Sequence, residues 1–596
     1  MSPESPETPS PSAYEAPHSN GAPGESSLVE ALIRHLSRLG VERAFGVSGG
    51  AIALFYDALA ESSIGLYHCR HETGAAFAAT EAYFASGKPT VVFATTGPGI
   101  LNAMTGITAA KWDGAKVILI SGSTSPGQRG RWATQETSSY TLPQDALYSK
   151  GPLFDFAIRM EQVSEFPEIA RRLAQGMARP GGFIAHISLP MAIQAGRIEE
   201  PASGDRDRDF EAAPPMASRD DIAWCAQLLS QQPFCIWAGF GARHAAPLIH
   251  ELIARTGAHA FCSPRGKGII PEDHPKFLGV TGLGGHSQVV DHMVLHKPAW
   301  VLVLGTRLGE ATSFWDDDMS PLKGFIHVDL DPEIPGTAYP ESETIGIHAE
   351  IEAFLHGLLE HIPSVSVTHA QEADSGVASD PHSRAPIPPL VPGKRPVRPQ
   401  VLMHAIQTRI IDRSDAIILS ECGNAFAWCN HYLRFPTPGR YRVSTLFGSM
   451  GHTAAGVVGA ALARNGKAVA VVGDGSMLMT SEISTAVQYQ APAVWIVLND
   501  AGYGMCRDGQ RTLGLSDAHV DFPEVDFAGL AASVGADGLR VEYENELETA
   551  LSHALETVGP FVVDIRIDPN EASPLMRRFE SLIRQGTSKR VAGWET

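Results

Sequence analysis

Two stretches constrain the fold most: Val471-Val472-Gly473-Asp474-Gly475-Ser476 and Val497-Leu498-Asn499-Asp500-Ala501-Gly502-Tyr503-Gly504. Each follows a short apolar run, Ala468 to Val472 and Val494 to Leu498, of the kind that forms a buried parallel strand. Between them Thr480 to Gln490 has helical spacing, with Ile483, Ala486 and Val487 on one face. Strand, glycine-rich turn, helix, strand and loop in that order make a parallel α/β unit. Such a unit brings both acidic residues to the carboxyl ends of neighbouring strands, where open parallel sheets bind ligands. Two oxygen donors, beside amides left approachable by Gly473 and Gly475, suit a hard cation bridging to a phosphate.

The same alternation recurs along the chain. Residues 1–27 are rich in Pro, Ser and Glu and read as a disordered tail. From residue 28 to 194, an amphipathic helix (Leu28 to Leu39) precedes the strand end Ala44 to Val47, which runs into Ser48-Gly49-Gly50-Ala51-Ile52. Arg70-His71-Glu72 then opens an alanine-rich helix, Thr73 to Ala85. The strand Thr90 to Thr95 leads into Thr96-Gly97-Pro98-Gly99, with Asn102 opening the next helix, and Val117 to Ile120 is a further strand. Glu199 to about Ala213 reads as a linker. A second series, 214–362, has strands ending at Gly239-Phe240-Gly241, Gly305-Thr306-Arg307 and Asp329-Leu330-Asp331. Residues 363–400 have the composition of a linker, 401–568 form a third α/β series, and 569–596 are a tail with helical periodicity at Leu575, Phe579 and Ile583. The fold class is therefore α/β, with three doubly wound parallel-sheet domains.

Composition narrows the function. At 596 residues the chain has room for about three to four domains. A net charge of −20 argues against nucleic acid or an anionic membrane as partner. The seven cysteines show no paired short spacing, which points to reduced thiols rather than a disulfide framework or a zinc site. Without a signal-like start or a membrane-length apolar run, a cytoplasmic protein is expected.

Asp474 and Asp500 lie 26 positions apart, and the second closes an Asn-Asp pair. This resembles the thiamine-diphosphate motif, Gly-Asp-Gly followed some 25 residues later by Asn-Asn. Over residues 28 to 568 the chain resembles acetolactate synthase and the related 2-oxo-acid decarboxylases and carboligases. Phe45 to Ile52 is similar to that family's Phe-Gly-Tyr-Pro-Gly-Gly-Ala-Ile segment, with Val47 and Ser48 as departures. Arg70-His71-Glu72 and Thr96-Gly97-Pro98-Gly99 match its pyrimidine-binding domain, and Phe447-Gly448-Ser449-Met450-Gly451 its Gly-Ser/Thr-Met-Gly turn.

The resemblance assigns roles residue by residue. Glu72 hydrogen-bonds the aminopyrimidine ring and so activates the cofactor, and Gln135 is an amide near the substrate. Gly49, Gly423, Asn424, Gly448, Met450, Gly473, Asp474, Gly475, Ser476 and Tyr503 border the cofactor. Asp474, Asp500 and the Gly502 carbonyl hold Mg²⁺, with Asp500 standing where most relatives have Asn. In flavin-containing relatives the middle domain holds FAD through a Gly-Val-Arg-Phe-Asp-Asp-Arg turn. Here Gly305-Thr306-Arg307-Leu308-Gly309-Glu310-Ala311 lacks the Asp pair and second Arg, so flavin is not expected. His274 and His286 lie in middle-domain loops within possible reach of substrate. The implied activity is decarboxylation of a pyruvate-like 2-oxo acid with transfer of the acyl unit to a carbonyl acceptor, in a homodimer or homotetramer. A non-oxidative decarboxylase or acyloin lyase is the alternative. A non-catalytic scaffold homologue is more remote, because Glu72 and the Asp474 turn are both present.

Overall fold

The computed structural model describes residues 25–199, 213–363, 387–516 and 519–587. It contains three six-stranded sheets in which every neighbouring pair is parallel. The first runs Gly65–His68, Arg43–Gly46, Thr90–Ala94, Lys116–Ser123, Phe183–Pro190, Phe156–Arg159. The second runs Phe277–Val280, His259–Cys262, Phe234–Ala238, Trp300–Leu304, Gly324–Asp329, Thr344–His348. The third runs Tyr441–Val443, Ile417–Ser420, Ala468–Gly473, Ala493–Asn499, Phe561–Arg566, Asp537–Val541.

The pleat explains why these strands read as unbroken apolar runs. In the strand at 468, Val469 and Val471 join one core, while Ala468, Ala470 and Val472 join another on the opposite face. Val91 and Phe93 divide from Val92 and Ala94 in the same way in the first sheet, as Ile236 divides from Cys235 and Trp237 in the second. Helices therefore cover both faces of each sheet.

Local chemistry sets the element ends. Helix Leu28–Arg38 begins at Ser27, whose Oγ accepts the Glu30 N–H while the Glu30 carboxylate accepts the Ser27 N–H. Helix Pro98–Asp113 starts with proline in its first turn, so Asn102 lies one turn inside it rather than opening it. The helix expected from 480 to 490 is shorter, Ile483–Gln488, because Thr480 and Glu482 spend their side chains on the preceding turn and on the first domain.

Several expected boundaries shift. Glu25–Ser27, assigned to the disordered tail, pair antiparallel with Arg197–Glu199, while residues 1–24 lie outside the described residues. Residues 200–212, 364–386 and 588–596, in the two linkers and the C-terminal tail, lie outside them too. The last part of the second linker belongs to the third sheet's surroundings. Val397 is buried and bridges Ile567, Arg398 pairs with Glu544, and helix Pro399–Ile406 begins before residue 401. The tail forms helix Met576–Thr587, whose Phe579 joins the third-domain core together with Leu575, which precedes the helix. Arg577 and Arg578 pair with Asp316 and Glu310 of the middle domain.

The first and third domains pack directly against each other through helices Glu72–Ser86 and His452–Arg464. A side chain at Gly459 would place its Cβ 1.9 Å from the Ala78 carbonyl oxygen, so only glycine permits this approach. At the same interface Arg442 grips Glu81 with two bonds of 2.9 and 3.0 Å, and His452 Nε2 lies 2.9 Å from the same carboxylate. Asp113 faces Arg442 at 3.6 Å and Arg265 of the middle domain at 3.4 Å. Arg442 stacks over the Phe84 ring at 3.7 Å. Burial opposes ionisation of Glu81, but Arg442 and His452 outweigh it and hold the carboxyl well below the usual range. Glu81, Asp113 and His452 have the spacing of a metal site. The guanidinium occupies the cation's place, so the charges there already balance.

Candidate active site

In the third sheet the chain steps outward from Ile417–Ser420 to Tyr441–Val443, then crosses back to Ala468–Gly473 on the other side. The turns at 421–424 and 474–476 thus flank the point where strand order reverses, the place where such sheets bind ligands.

Asp474 is 1% exposed at the start of the short helix Asp474–Met477. Its Oδ1 accepts the Gly475 N–H at 2.7 Å, and its Oδ2 accepts the Gly502 N–H at 3.2 Å. Burial, followed by the neighbouring Asp500 charge, pushes its carboxyl up to about 7. Burial also raises the Asp500 carboxyl, against the opposing effect of Arg507, whose Nη1 lies 2.7 Å from Asp500 Oδ2. Two crowded, largely buried carboxylates just past the ends of adjacent strands make a donor set that a divalent cation would relieve. The Gly502 carbonyl accepts the Gly504 N–H at 3.0 Å and keeps a second lone pair.

Other expected residues gather around the same space. A Cβ at Gly475 would lie 2.8 Å from the Tyr503 ring and 3.4 Å from Met450 Cε, so these three residues lie against one another. Gly423 (φ +87°) and Gly448 (φ +60°) adopt left-handed backbone facing open space. Asn424 opens helix Asn424–Tyr432 and donates to Asp508 at 3.0 Å, while its buried Oδ1 has no partner. Gly473 ends its strand and Ser476 is buried in the turn. The open glycine backbone and the buried acid pair fit an anionic cofactor held through a metal, and the orphaned Asn424 oxygen, an acceptor, is left for a cation or a donor.

The first domain assembles the second half. Glu72 is the buried first residue of its helix, and Asn102 donates to its Oε2 at 3.1 Å. Gly99 is close enough that a Cβ would sit 3.3 Å from Glu72 Oε1 and 3.0 Å from the Thr95 methyl. A Cβ at Gly49 would lie 2.4 Å from Thr95 Oγ1. Gln135, left-handed at φ +56°, accepts from Thr96 Oγ1 at 3.1 Å through its side-chain oxygen. Glu72, Gln135 and Gly49 thus converge on the Thr95–Gly99 turn. Among the described residues no polar contact links Glu72 or Gln135 to Asp474, Asp500 or Gly502. Glu482 of the third domain also reaches the first, accepting the N–H groups of Arg70 and His71 just before Glu72.

The two loop histidines are engaged otherwise. His286 accepts the Val280 N–H and reaches the His431 carbonyl at 3.0 Å, tying the middle domain to the third. His274 Nδ1 accepts the Lys276 N–H. Four residues escaped the sequence reading as site components: Asn102, Glu482, Arg507 and Asp508. The aspartate at an expected asparagine position was the one available signal, since a second buried acid calls for a nearby cation.

The middle domain has a cavity of about 180 Å³ at its strand ends, among Gly241, Arg265, Gly305, Thr306, Arg307 and Asp329. The Arg307 side chain donates to the Trp112 carbonyl of the first domain at 2.8 Å.

Three parallel-sheet domains, with an acidic turn on the third and a buried glutamate on the first, are the layout of a cofactor-dependent α/β enzyme. Comparison with known proteins agrees. Models of the thiamine pyrophosphate enzymes match in chain order: the N-terminal TPP binding domain over residues 26–142, the central domain over 222–358 and the C-terminal TPP binding domain over 421–565. The chain is 27% identical to the acetolactate synthase isozyme 2 large subunit of Escherichia coli over 91% of its length and 95% of the relative's. It is 28% identical to a probable acetolactate synthase large subunit of Methanocaldococcus jannaschii, covering 92% and 93% of the two chains. A putative thiamine pyrophosphate-containing protein of Bacillus subtilis is 26% identical, over 90% and 91%. The chain belongs to the thiamine-diphosphate-dependent enzymes of the acetolactate synthase superfamily. Among the described residues, no helix is long and apolar enough to cross a membrane.

Proposed function

We propose that this chain is a Mg²⁺- and thiamine-diphosphate-dependent carboligase, which decarboxylates a pyruvate-like 2-oxo acid and couples the acyl unit to a carbonyl acceptor. The observation that carries the reading is the buried Asp474 carboxylate, bonded to amides of two turns beside Asp500. In this reading Asp474, Asp500 and the Gly502 carbonyl hold Mg²⁺. Gly423, Asn424, Gly448, Gly473, Gly475 and Ser476 receive the diphosphate side, and Gly49, Met450 and Tyr503 receive the rings. Thiamine diphosphate, when bound, supplies an electron sink for the loss of carbon dioxide.

The chain's own residues do the rest. Glu72, oriented by Asn102, is the acid that would hold or release a proton toward a ring nitrogen of the bound aminopyrimidine. Gln135 spends its side-chain oxygen on Thr96, which leaves its amide N–H for substrate. The loops Ala94 to Gly99 and Ser121 to Gly130 carry no histidine. His71 caps its own helix through Nδ1, and both ring nitrogens of His286 face backbone. A site without an imidazole shuttle delivers protons slowly, which favours a carbonyl acceptor over release of free aldehyde.

In this reading Glu72 serves the cofactor of a second copy, in a homodimer or homotetramer. Trp132 at 85% exposure and Met479 at 56% are large apolar side chains on segments that flank the two half-sites, which supports a covering partner. We place the enzyme in the cytoplasm without a stoichiometric flavin; a yellow protein carrying about one flavin per chain would overturn that part. The deciding experiment feeds pyruvate and larger 2-oxo acids with and without aldehydes and ketones, and identifies products by mass spectrometry. Coupled products are expected. Free aldehyde equal to carbon dioxide, even with excess acceptor, would instead establish a simple decarboxylase.

A further inference from the structure

We propose that Arg507 is the built-in counter-ion of the metal turn, a positioning residue that lets Asp500 stand where the resemblance calls for asparagine. The inference rests on the reading of Asp474 and Asp500 as metal ligands.

The argument begins with charge. An Asp/Asn pair brings one negative charge to a metal, whereas Asp474 and Asp500 bring two at the ends of adjacent, hydrogen-bonded strands. Left alone in a largely buried turn, two carboxylates repel each other and repel a diphosphate as well. Arg507, on helix Gly504–Thr512 and 5% exposed, comes back over the turn. Its Nη1 donates to Asp500 Oδ2 at 2.7 Å, and its Nη2 reaches the Asp500 carbonyl at 3.5 Å. One Asp500 oxygen is thereby taken and the other left for a cation. The sum over Asp474, Asp500 and Arg507 returns to one negative charge.

The guanidinium is also held from its far side. Nε and Nη2 donate to Asp521 Oδ1 at 3.1 and 2.5 Å. Asp521 pairs with Gly502 through the backbone, Tyr503 N–H donates to Val520, and Phe522 N–H donates to Ala501. The planar fork is therefore fixed between two carboxylates, a task a lysine performs with less geometric definition. The Asp521 side chain is 68% exposed, which makes Asp500 the stronger partner. Gly502 makes room for all this: a Cβ there would lie 2.3 Å from Arg507 Nη2.

A counter-ion and an ordinary structural ion pair predict different signs. In Arg507→Gln the turn regains its second negative charge. Affinity for Mn²⁺ alone, read by electron paramagnetic resonance of the cofactor-free full-length protein, should rise by roughly tenfold or more. Affinity for thiamine diphosphate at saturating Mg²⁺, read by calorimetry, should fall, because the turn then repels the diphosphate. Asp500→Asn combined with Arg507→Gln should bring both affinities back toward the parent's. Arg507→Lys keeps the charge and should stay near the parent in both, and it serves as the folded control. If Arg507→Gln lowers both affinities together, or the double variant recovers neither, the counter-ion role is wrong. If the parent binds no Mn²⁺ and Asp474→Ala changes nothing, the metal reading itself fails, a result distinct from the other two.

Discussion

Replacing Arg442 with methionine tests how the first and third domains are held together. The guanidinium makes two bonds to Glu81, faces Asp113 at 3.6 Å and stacks on Phe84, all with side chains of Arg442 and Glu81 only 3% exposed. Methionine keeps comparable bulk against the ring but leaves Glu81 with His452 and Asp113 with Arg265 and a long contact from the Ser444 hydroxyl. Removing one member of a buried pair costs about 3–5 kcal/mol, and the lower end applies here because each acid keeps a second partner. With a urea m-value of about 3 kcal/mol/M, the midpoint should fall by about 1 M, read by circular dichroism. The deficit also depends on pH. Without Arg442, burial drives the Glu81 carboxyl up instead of down, so the penalty is largest near neutrality and shrinks as acid protonates Glu81. Glu81→Gln added to Arg442→Met should recover a good part of the loss. A midpoint shift worth less than about 1 kcal/mol, or a deficit equal at about pH 5 and about pH 7.5, would refute this account.

Other outcomes follow from the same geometry. Asp474→Ala should abolish Mg²⁺-dependent binding of thiamine diphosphate in a calorimetric titration while circular dichroism stays native. Glu72→Gln should still bind cofactor, while exchange of the thiazolium C2 proton into deuterated water slows by ~10²-fold or more, in line with general acid–base contributions. Buried His186 and His327 are each held down at about 4 by burial, so both stay neutral in the folded state. Their stabilising effect is complete above the unfolded value near 6.5 and is lost as pH falls from there to about 4. That loss comes to ~3 kcal/mol each at about pH 4, so acid melting should be blunted in His186→Gln.

What sequence alone conveyed follows from the range over which each signal acts. The strand at 468, the turn at 474 and the helix at 28 are encoded within a dozen neighbouring residues, through apolar runs, glycines and the Ser27 cap. The convergence of Gly49, Glu72 and Gln135 on the Thr95–Gly99 turn came from motif resemblance, since no local pattern carries it. Arg507 lay unread although it sits only seven positions from Asp500, because a lone arginine on a polar helix looks like a solvated one. Glu81 and Arg442 are 361 positions apart, and each looks unremarkable in its own segment. Their meeting is fixed only when glycines at 456 and 459 let two helices approach closely.

That close approach bears on how such a chain can change over generations. The first and third domains grip each other through Glu81, Arg442 and His452, although the whole middle domain separates them along the polypeptide. Replacements on one side of this seam must be answered on the other, so these two domains are bound to diverge as a pair. The middle domain reaches this seam through Arg265 and Phe240, and it is bound more widely to the third domain, where Asn430 donates to the Thr281 and Leu283 carbonyls and Lys267 donates to the Asn430 carbonyl. A recombination that exchanged the middle segment would have to reproduce those two side chains and also its polar contacts with the third domain. One that exchanged the first domain alone would set foreign side chains against Gly459, where there is no room for them.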